Sequence, residues 1–120
     1  MSALNPALRQ WLDDTAQALA RNPPPPRTPR LARYGLAALT RAFVTRAQTI
    51  ARVADTTVHT PQADVAVRIY DPAPDTEKPA LLYLHGGGHM CGSIDVYDPI
   101  CRRLATATHH LTLSVDYRLA

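Results

Sequence analysis

The sequence predicts an α/β protein, and three observations carry the prediction. Apolar residues recur at helical spacing up to about residue 52 and alternate or run together beyond it. Ala80-Leu81-Leu82-Tyr83-Leu84 is continuously apolar, the pattern of a strand covered on both faces, as in parallel sheets. A helical pattern separates that run from a second one, Leu111 to Tyr117, which is the spacing of a β-α-β unit.

The first helix is expected from Pro6, with Asn5 as its cap and proline at the first helical position. Leu4, Leu8, Trp11 or Leu12, Thr15 and Leu19 share one side, while Gln10, Asp13, Asp14 and Gln17 lie mostly elsewhere. It must stop at Asn22, because Pro23 to Pro26 follow. Asn22 to Pro29 reads as an extended linker of about 25 Å at ~3.1 Å per residue. Arg21 and Arg27 flank it, but outside the registers of a proline-rich peptide ligand, so a stiff spacer is the reading adopted.

A second helix is expected from Pro29 to Arg52. Ala32, Leu36, Leu39, Phe43, Ala47 and Ile50 form its apolar face, and Arg30, Arg33, Arg41 and Arg52 stand opposite. An arginine face can lie on a membrane or a phosphate backbone. The alanine-diluted apolar side suits packing against a protein better. Val53 to Thr60 is then a weak strand candidate. In the next segment Val65, Val67 and Ile69 are expected to be buried, with Ala66, Arg68 and Tyr70 on the wetter face. A turn-rich stretch, Asp71-Pro72-Ala73-Pro74-Asp75, precedes the Ala80–Leu84 strand. The helix of the β-α-β unit is expected to start at Tyr97 or Pro99 behind an Asp98-Pro99 cap and to end at Thr108.

Composition excludes several function classes. The 120 residues carry a formal charge of +3, with Lys78 the only lysine, so charge alone does not indicate nucleic acid. There is no long apolar run of membrane-spanning length and no secretory pattern at the N-terminus. Cys91 and Cys101 are too few for a disulfide framework, and His109-His110 has no third ligand nearby in sequence, so no metal site is expected. A reduced, cytoplasmic protein without a cofactor is the expectation.

The most specific stretch is His85-Gly86-Gly87-Gly88, directly after the apolar strand. Glycines there let the backbone turn sharply and approach a ligand, freeing N–H groups for an anion. Neither phosphate-loop pattern fits: no Lys-Ser/Thr pair follows, and the spacing is not G-x-G-x-x-G. The remaining anion is the oxyanion formed when a carbonyl is attacked, and a strand followed by H-G-G-G is a source of oxyanion-hole donors in lipases and esterases.

"YLHGGG", the following "GS", "YDPICRRLA" and "LSVDYRLA" together resemble the bacterial hormone-sensitive-lipase-like carboxylesterases of the α/β-hydrolase superfamily, and the upstream "VAVRIYDPAP" resembles their early antiparallel strand. The resemblance implies the N-terminal portion of an α/β-hydrolase fold: a mostly parallel sheet with early antiparallel strands, preceded by two cap helices. Residues 1–52 would be cap helices with the proline-rich linker 22–29, and residues 53–120 the first part of the hydrolase domain, cut off after Ala120. It also implies roles. The N–H groups of Gly87 and Gly88 would be oxyanion donors, Gly86 would shape the turn, and His85 would brace the loop. Asp116, Tyr117 and Arg118 would be structural. His89 stands where a bulky aromatic is usual, which makes it a candidate for lining the substrate pocket, although a partly exposed residue without a chemical role is the simpler reading.

No G-x-S-x-G occurs in these residues; Ser93 lies in C-G-S-I-D and Ser114 inside a strand pattern. The nucleophile, acid and base are therefore expected outside this stretch, and the 120 residues alone are expected to be inactive. The substrate implied is a small-molecule ester. The alternative is a non-catalytic binding module, or one half of a split hydrolase completed by a C-terminal half. The family's sheet order also places an uncovered apolar edge on the Leu81–Leu84 strand, which predicts poor solubility or a homo-oligomer.

Overall fold

A computed structural model describes residues 4–23, 28–44 and 48–120. Its elements in chain order are α1 (Pro6–Arg21), α2 (Pro29–Phe43), β1 (Arg52–His59), β2 (Asp64–Asp71), β3 (Ala80–Leu84), α3 (Ile94–Thr108) and β4 (Leu111–Asp116). The expected extended conformation of the proline-rich stretch falls largely on residues 24–27, and the expected helical place of Ala47 falls on 45–47; both lie outside the described residues.

The strands form one sheet in the order β1-β2-β4-β3. β1 and β2 are an antiparallel hairpin with Arg52 opposite Asp71 and His59 opposite Asp64. The hairpin turn is closed by Thr60, whose N–H and hydroxyl both donate to the Ala63 carbonyl. β2 pairs antiparallel with β4, and β3 pairs parallel with β4 in the register Ala80–Leu111 to Leu84–Val115. The sheet is thus antiparallel through its early strands and turns parallel at the β3-α3-β4 unit, where α3 supplies the crossover a parallel pair requires.

Register assigns the two sheet faces. Tyr70, Thr112, Ser114 and Tyr83 lie on the side covered by α3, and Tyr70, Cys101 and Ala105 form its fully buried centre, with Ile50, Val53 and Tyr83 packed around them. The face expected to be wetter on β2 is therefore a buried one. Tyr70 is fully buried, its hydroxyl donating to Asp98 on α3 at 3.0 Å, and Arg68 beside it pairs with Asp55 and Asp95. Alternation identified two faces, but the polar tip of Tyr70 is satisfied by α3, and that of Arg68 by β1 and α3, rather than by water.

The other face carries Val67, Ile69, Leu113, Val115, Leu82 and Leu84 in adjacent register. Leu82 is 63% and Leu84 60% exposed. The expectation that β3 is covered on both sides holds for only one side among the described residues. Among the described residues β3 also pairs only with β4, which leaves its second edge without a described partner.

Three helix expectations are corrected. α2 stops at Phe43 instead of continuing to Arg52: Val44 is extended, its N–H bonded to the Thr40 carbonyl at 2.9 Å, and Arg52 opens β1. A β-branched residue there gives little helical preference, and Ile50 gains more by packing on the sheet core. The α2 apolar face is only partly covered, for Leu36 is half-buried while Leu39 and Phe43 are exposed. α3 starts at Ile94, capped by Ser93, whose hydroxyl accepts from the Val96 N–H at 3.2 Å. Pro99 lies inside the helix, so the Asp98-Pro99 signal marked its second turn rather than its start. Asp98 instead anchors Tyr70 and Arg102.

Between β2 and β3, Asp71 and Lys78 are a nearly buried ion pair at 3.0 Å. Asp71 also accepts from the Ala73 N–H, and Lys78 donates to the Ala73 carbonyl. The only lysine thus closes the turn-rich loop.

Candidate functional site

The strand β3 delivers His85 directly beneath the glycine run. His85 is 3% exposed and its ring is stacked between Tyr117 at 4.3 Å and Tyr97 at 5.4 Å, with interplanar angles of 20° and 18°. Its Nδ1 lies 3.0 Å from the Gly86 carbonyl. A carbonyl only accepts, so the proton sits on Nδ1. Nε2 is buried without a hydrogen-bond partner, 3.9 Å from a carboxylate oxygen of Asp116. The Tyr117 hydroxyl donates to the His85 carbonyl. A ring enclosed in this way can hold the loop but cannot reach a reacting group.

After His85 the chain folds into a tight knot. The Gly87 carbonyl accepts from the N–H groups of Met90 at 3.1 Å and Cys91 at 3.2 Å, and from the Cys91 thiol at 3.2 Å. This closure needs φ +136° at Gly87, where a Cβ would stand 1.9 Å from the Cys91 carbonyl oxygen. Gly92 is equally constrained, with φ +107° and a virtual Cβ 2.3 Å from Nδ1 of His85. Gly88 and His89 are also left-handed, at φ 58° and 59°, and Gly88 faces open space. The left-handed backbone of the knot falls at residues 87, 88, 89 and 92, while Gly86 lies outside that region, and a Cβ there would stand 3.4 Å from the Tyr97 hydroxyl. Among the described residues, neither the Gly87 nor the Gly88 N–H donates a hydrogen bond. Both are left available to an anion.

The remaining sequence candidates are dispersed around this knot. Asp116 accepts from the Ile94 N–H at 3.4 Å, tying the end of β4 to the start of α3. Arg118 is exposed and enters no ion pair among the described residues. His89 is exposed, edge-on to Tyr117 at 6.4 Å, and its carbonyl accepts from the Ala120 N–H at 2.8 Å. Cys91 is half-buried in the loop, and Cys101 is fully buried, where burial pushes its thiol pKa up.

Three contributors were not legible as such. Gly92 entered only as part of the "GS" that follows the glycine run, with no packing role assigned to it. Tyr97 passed as a helix start, yet it stacks on His85 and also lines a small pocket of about 160 Å³ between α2 and α3, with Leu36, Val96 and Ile100. Arg33 was assigned to the outward arginine face. It instead reaches the knot, with Nε donating to the Met90 carbonyl at 2.8 Å and Nη2 to the Ala120 main-chain oxygen at 2.9 Å. A larger concavity of about 430 Å³, lined by Asp55, Arg68, Asp95, Asp98 and Arg102, includes no residue of the knot. Its charges are mutually paired; Arg68 holds the Asp55 carboxyl below its ordinary pKa.

A family model described as an α/β-hydrolase fold matches residues 81–120, the stretch that contains β3 from its second residue, the knot, α3 and β4. The described sheet and crossover superpose on solved esterases: the hyperthermophilic esterase of the archaeon Pyrobaculum calidifontis has a TM-score of 0.82 and 36% identity over 99% of this chain and 38% of that one. An ester-hydrolase from the Lake Arreo metagenome gives a TM-score of 0.84 and 30% identity over 98% of this chain and 39% of its own. The chain has the α/β-hydrolase fold.

Among curated proteins, it is 43% identical to esterase LipI of Mycobacterium tuberculosis over 72 residues, 58% of this chain and 22% of that protein. It is 44% identical to an acetyl esterase of Salmonella typhi over 63 residues, 52% of this chain and 19% of that one. These matches are to esterases, in keeping with the resemblance seen in the sequence, and the chain spans about a fifth of the length of the curated relatives it matches.

Proposed function

We propose that this chain contributes one wall of the oxyanion hole, and the helices before it, to a carboxylic-ester hydrolase. The observation that carries the reading is the pair of undonated N–H groups at Gly87 and Gly88, held in a left-handed turn by a buried, stacked histidine. In this reading an ester carbonyl oxygen becomes negatively charged as the carbon is attacked, and the two N–H groups stabilise that charge by ~3 kcal/mol each. His85 fixes the loop from below and takes no proton from substrate, and Gly86 lets the chain leave β3 beside Tyr97. His89 lies on the exposed side of the loop, where a substrate group would pass. Residues 1–52 act as a cap and residues 53–120 as the first part of the hydrolase domain.

Acyl transfer to a serine also needs a nucleophile, a base and an orienting acid. Neither serine in the described elements is suited. Ser93 caps α3 through its hydroxyl, and Ser114 is fully buried in β4. Two donors supply about a 10⁴-fold effect at ~3 kcal/mol each, whereas loss of serine or histidine costs about 10⁶ in turnover. The second effect is larger, so the 120 residues alone should not turn over esters. The test is to express these residues by themselves and in a form extended through the downstream reading frame, and to assay both with p-nitrophenyl acetate and butyrate. Turnover by the extended form only is expected. Turnover by the 120 residues alone, or by neither form when the extension encodes G-x-S-x-G, would overturn the reading.

The edge of β3 without a described partner favours one other reading, in which a second polypeptide completes the sheet. A stop codon directly after Ala120, with activity restored on mixing with a separately encoded partner, would select it.

A further inference from the structure

We infer that Arg33 is a positioning residue that couples the N-terminal helix pair to the glycine knot, and so sets the direction of the Gly87 and Gly88 N–H groups. The inference rests on the reading of the knot as an oxyanion-binding element. α2 otherwise packs on α3, through the contact that includes Leu36, Val96 and Tyr97. Arg33 adds a contact of a different kind, because its guanidinium bridges two pieces of main chain that are 30 residues apart: Met90 inside the knot and Ala120 beyond β4. Those pieces are themselves joined where the Ala120 N–H donates to the His89 carbonyl. The result is a closed circuit of three hydrogen bonds among α2, residues 89–90 and residue 120.

Position makes the circuit consequential. His89 is the only non-glycine residue of the knot in left-handed backbone, at φ 59°, a conformation that a side chain pays to adopt and that neighbours must hold. Its own carbonyl and that of Met90 are two of the three acceptors in the circuit, the third being the Ala120 main-chain oxygen. Releasing them lets residues 88–90 relax toward right-handed backbone, which turns the Gly88 N–H away. A planar fork with fixed donor directions suits two separated carbonyls, whereas a lysine is a single point of charge and serves both poorly.

Hydrogen exchange read by mass spectrometry on the 120-residue chain tests this. Native protein is compared with R33Q, R33K and, as a control on the same helix, R30Q. With R33Q, exchange of the Met90, Cys91 and Ala120 amides should accelerate about five- to tenfold, with β2 and β4 amides unchanged. R33K should recover part of the protection, and R30Q should match native protein. Unchanged knot exchange in R33Q would overturn the proposal. So would loss of strand protection, since Arg33 would then be supporting the fold as a whole. In a form that cleaves esters, R33Q should lower kcat about tenfold with KM within twofold; a change confined to KM would count against positioning. A knot that loosens in a protein that hydrolyses no ester would keep the coupling and refute the esterase reading instead.

Discussion

Alanine at Gly92 and at Gly88 makes the same chemical change at two positions four residues apart, and the structure assigns the two very different costs. At Gly88 a Cβ meets nothing within 4 Å, so only left-handed backbone at φ 58° is penalised, about 1 kcal/mol for a non-glycine residue. At Gly92 φ is 107°, further from the region a side chain tolerates, and the Cβ would lie 2.3 Å from Nδ1 and 2.6 Å from Cε1 of His85 and 2.7 Å from the Gly86 carbonyl. His85 cannot swing aside, because Tyr117 and Tyr97 stack on its two faces. Backbone strain of about 2 kcal/mol and overpacking of about 2 kcal/mol then add to roughly 4 kcal/mol. Against a total stability of 5–15 kcal/mol typical of single domains, G88A should shift a urea midpoint modestly and G92A should leave the chain barely folded. The assay is urea unfolding followed by circular dichroism at 222 nm in dilute solution; Trp11 fluorescence would be a poor probe, because that residue is 57% exposed on α1. Equal midpoints for the two variants would refute the argument that Gly92 exists to make room for the His85 ring.

Other outcomes can be checked on the same material. Replacing Lys78 with alanine removes the partner of a nearly buried carboxylate and should cost about 2 kcal/mol, between the figures for exposed and deeply buried pairs. Burial pushes the Asp71 pKa up, but the Lys78 ammonium and the Ala73 N–H outweigh it, and the carboxyl is held below its ordinary value. Its folded pKa being the lower one, Asp71 contributes fully above the unfolded value of about 3.9 and loses that contribution as pH falls through the depressed one. Thermal melts between pH 6 and 2 should therefore show an acid-side loss that is smaller in K78A, where Asp55 paired with Arg68 still contributes its own; identical slopes would refute the pairing. Replacing both Leu82 and Leu84 with threonine should raise the soluble yield of the 120-residue chain and lower its apparent mass in size-exclusion chromatography, because these two side chains make the apolar sheet face sticky. An unchanged elution volume would show that association, if present, runs through another surface.

Much of the fold was readable because local and long-range signals agree. Asn5 and the proline that follows it act through their own neighbours, and the structure uses them that way, with Asn5 accepting from Ala7; the Thr28 cap of α2, accepting from Leu31, went unread. The continuous run Ala80–Leu84 and the pattern from Leu111 make a parallel pair joined by α3. Reading failed where a distant partner decides. Tyr70 looked wet until α3 offered Asp98 to its hydroxyl. Asp98-Pro99 looked like a cap because the sequence shows the signal but not Ser93 already filling that role. In the candidate site, H-G-G-G was legible as a class of loop. The supports of that loop were not, because Tyr97, Gly92 and Arg33 act through ring stacking, a missing Cβ and a contact across 57 residues.

The order of synthesis gives the His85 cradle a further meaning. Its parts lie close along the chain, with 32 residues separating His85 from the tyrosine whose hydroxyl closes over it. A ribosome adding about 5–20 residues per second completes that interval in roughly 2–6 seconds. The knot, its stacked rings and the β3-α3-β4 crossover can therefore organise as one early unit of biosynthesis. During the same seconds Leu82 and Leu84 emerge on the opposite face with no described element over them. Nascent-chain binding factors that recognise extended apolar segments would meet that face first, and its later covering, rather than the making of the loop, would set how safely this protein matures in a cell.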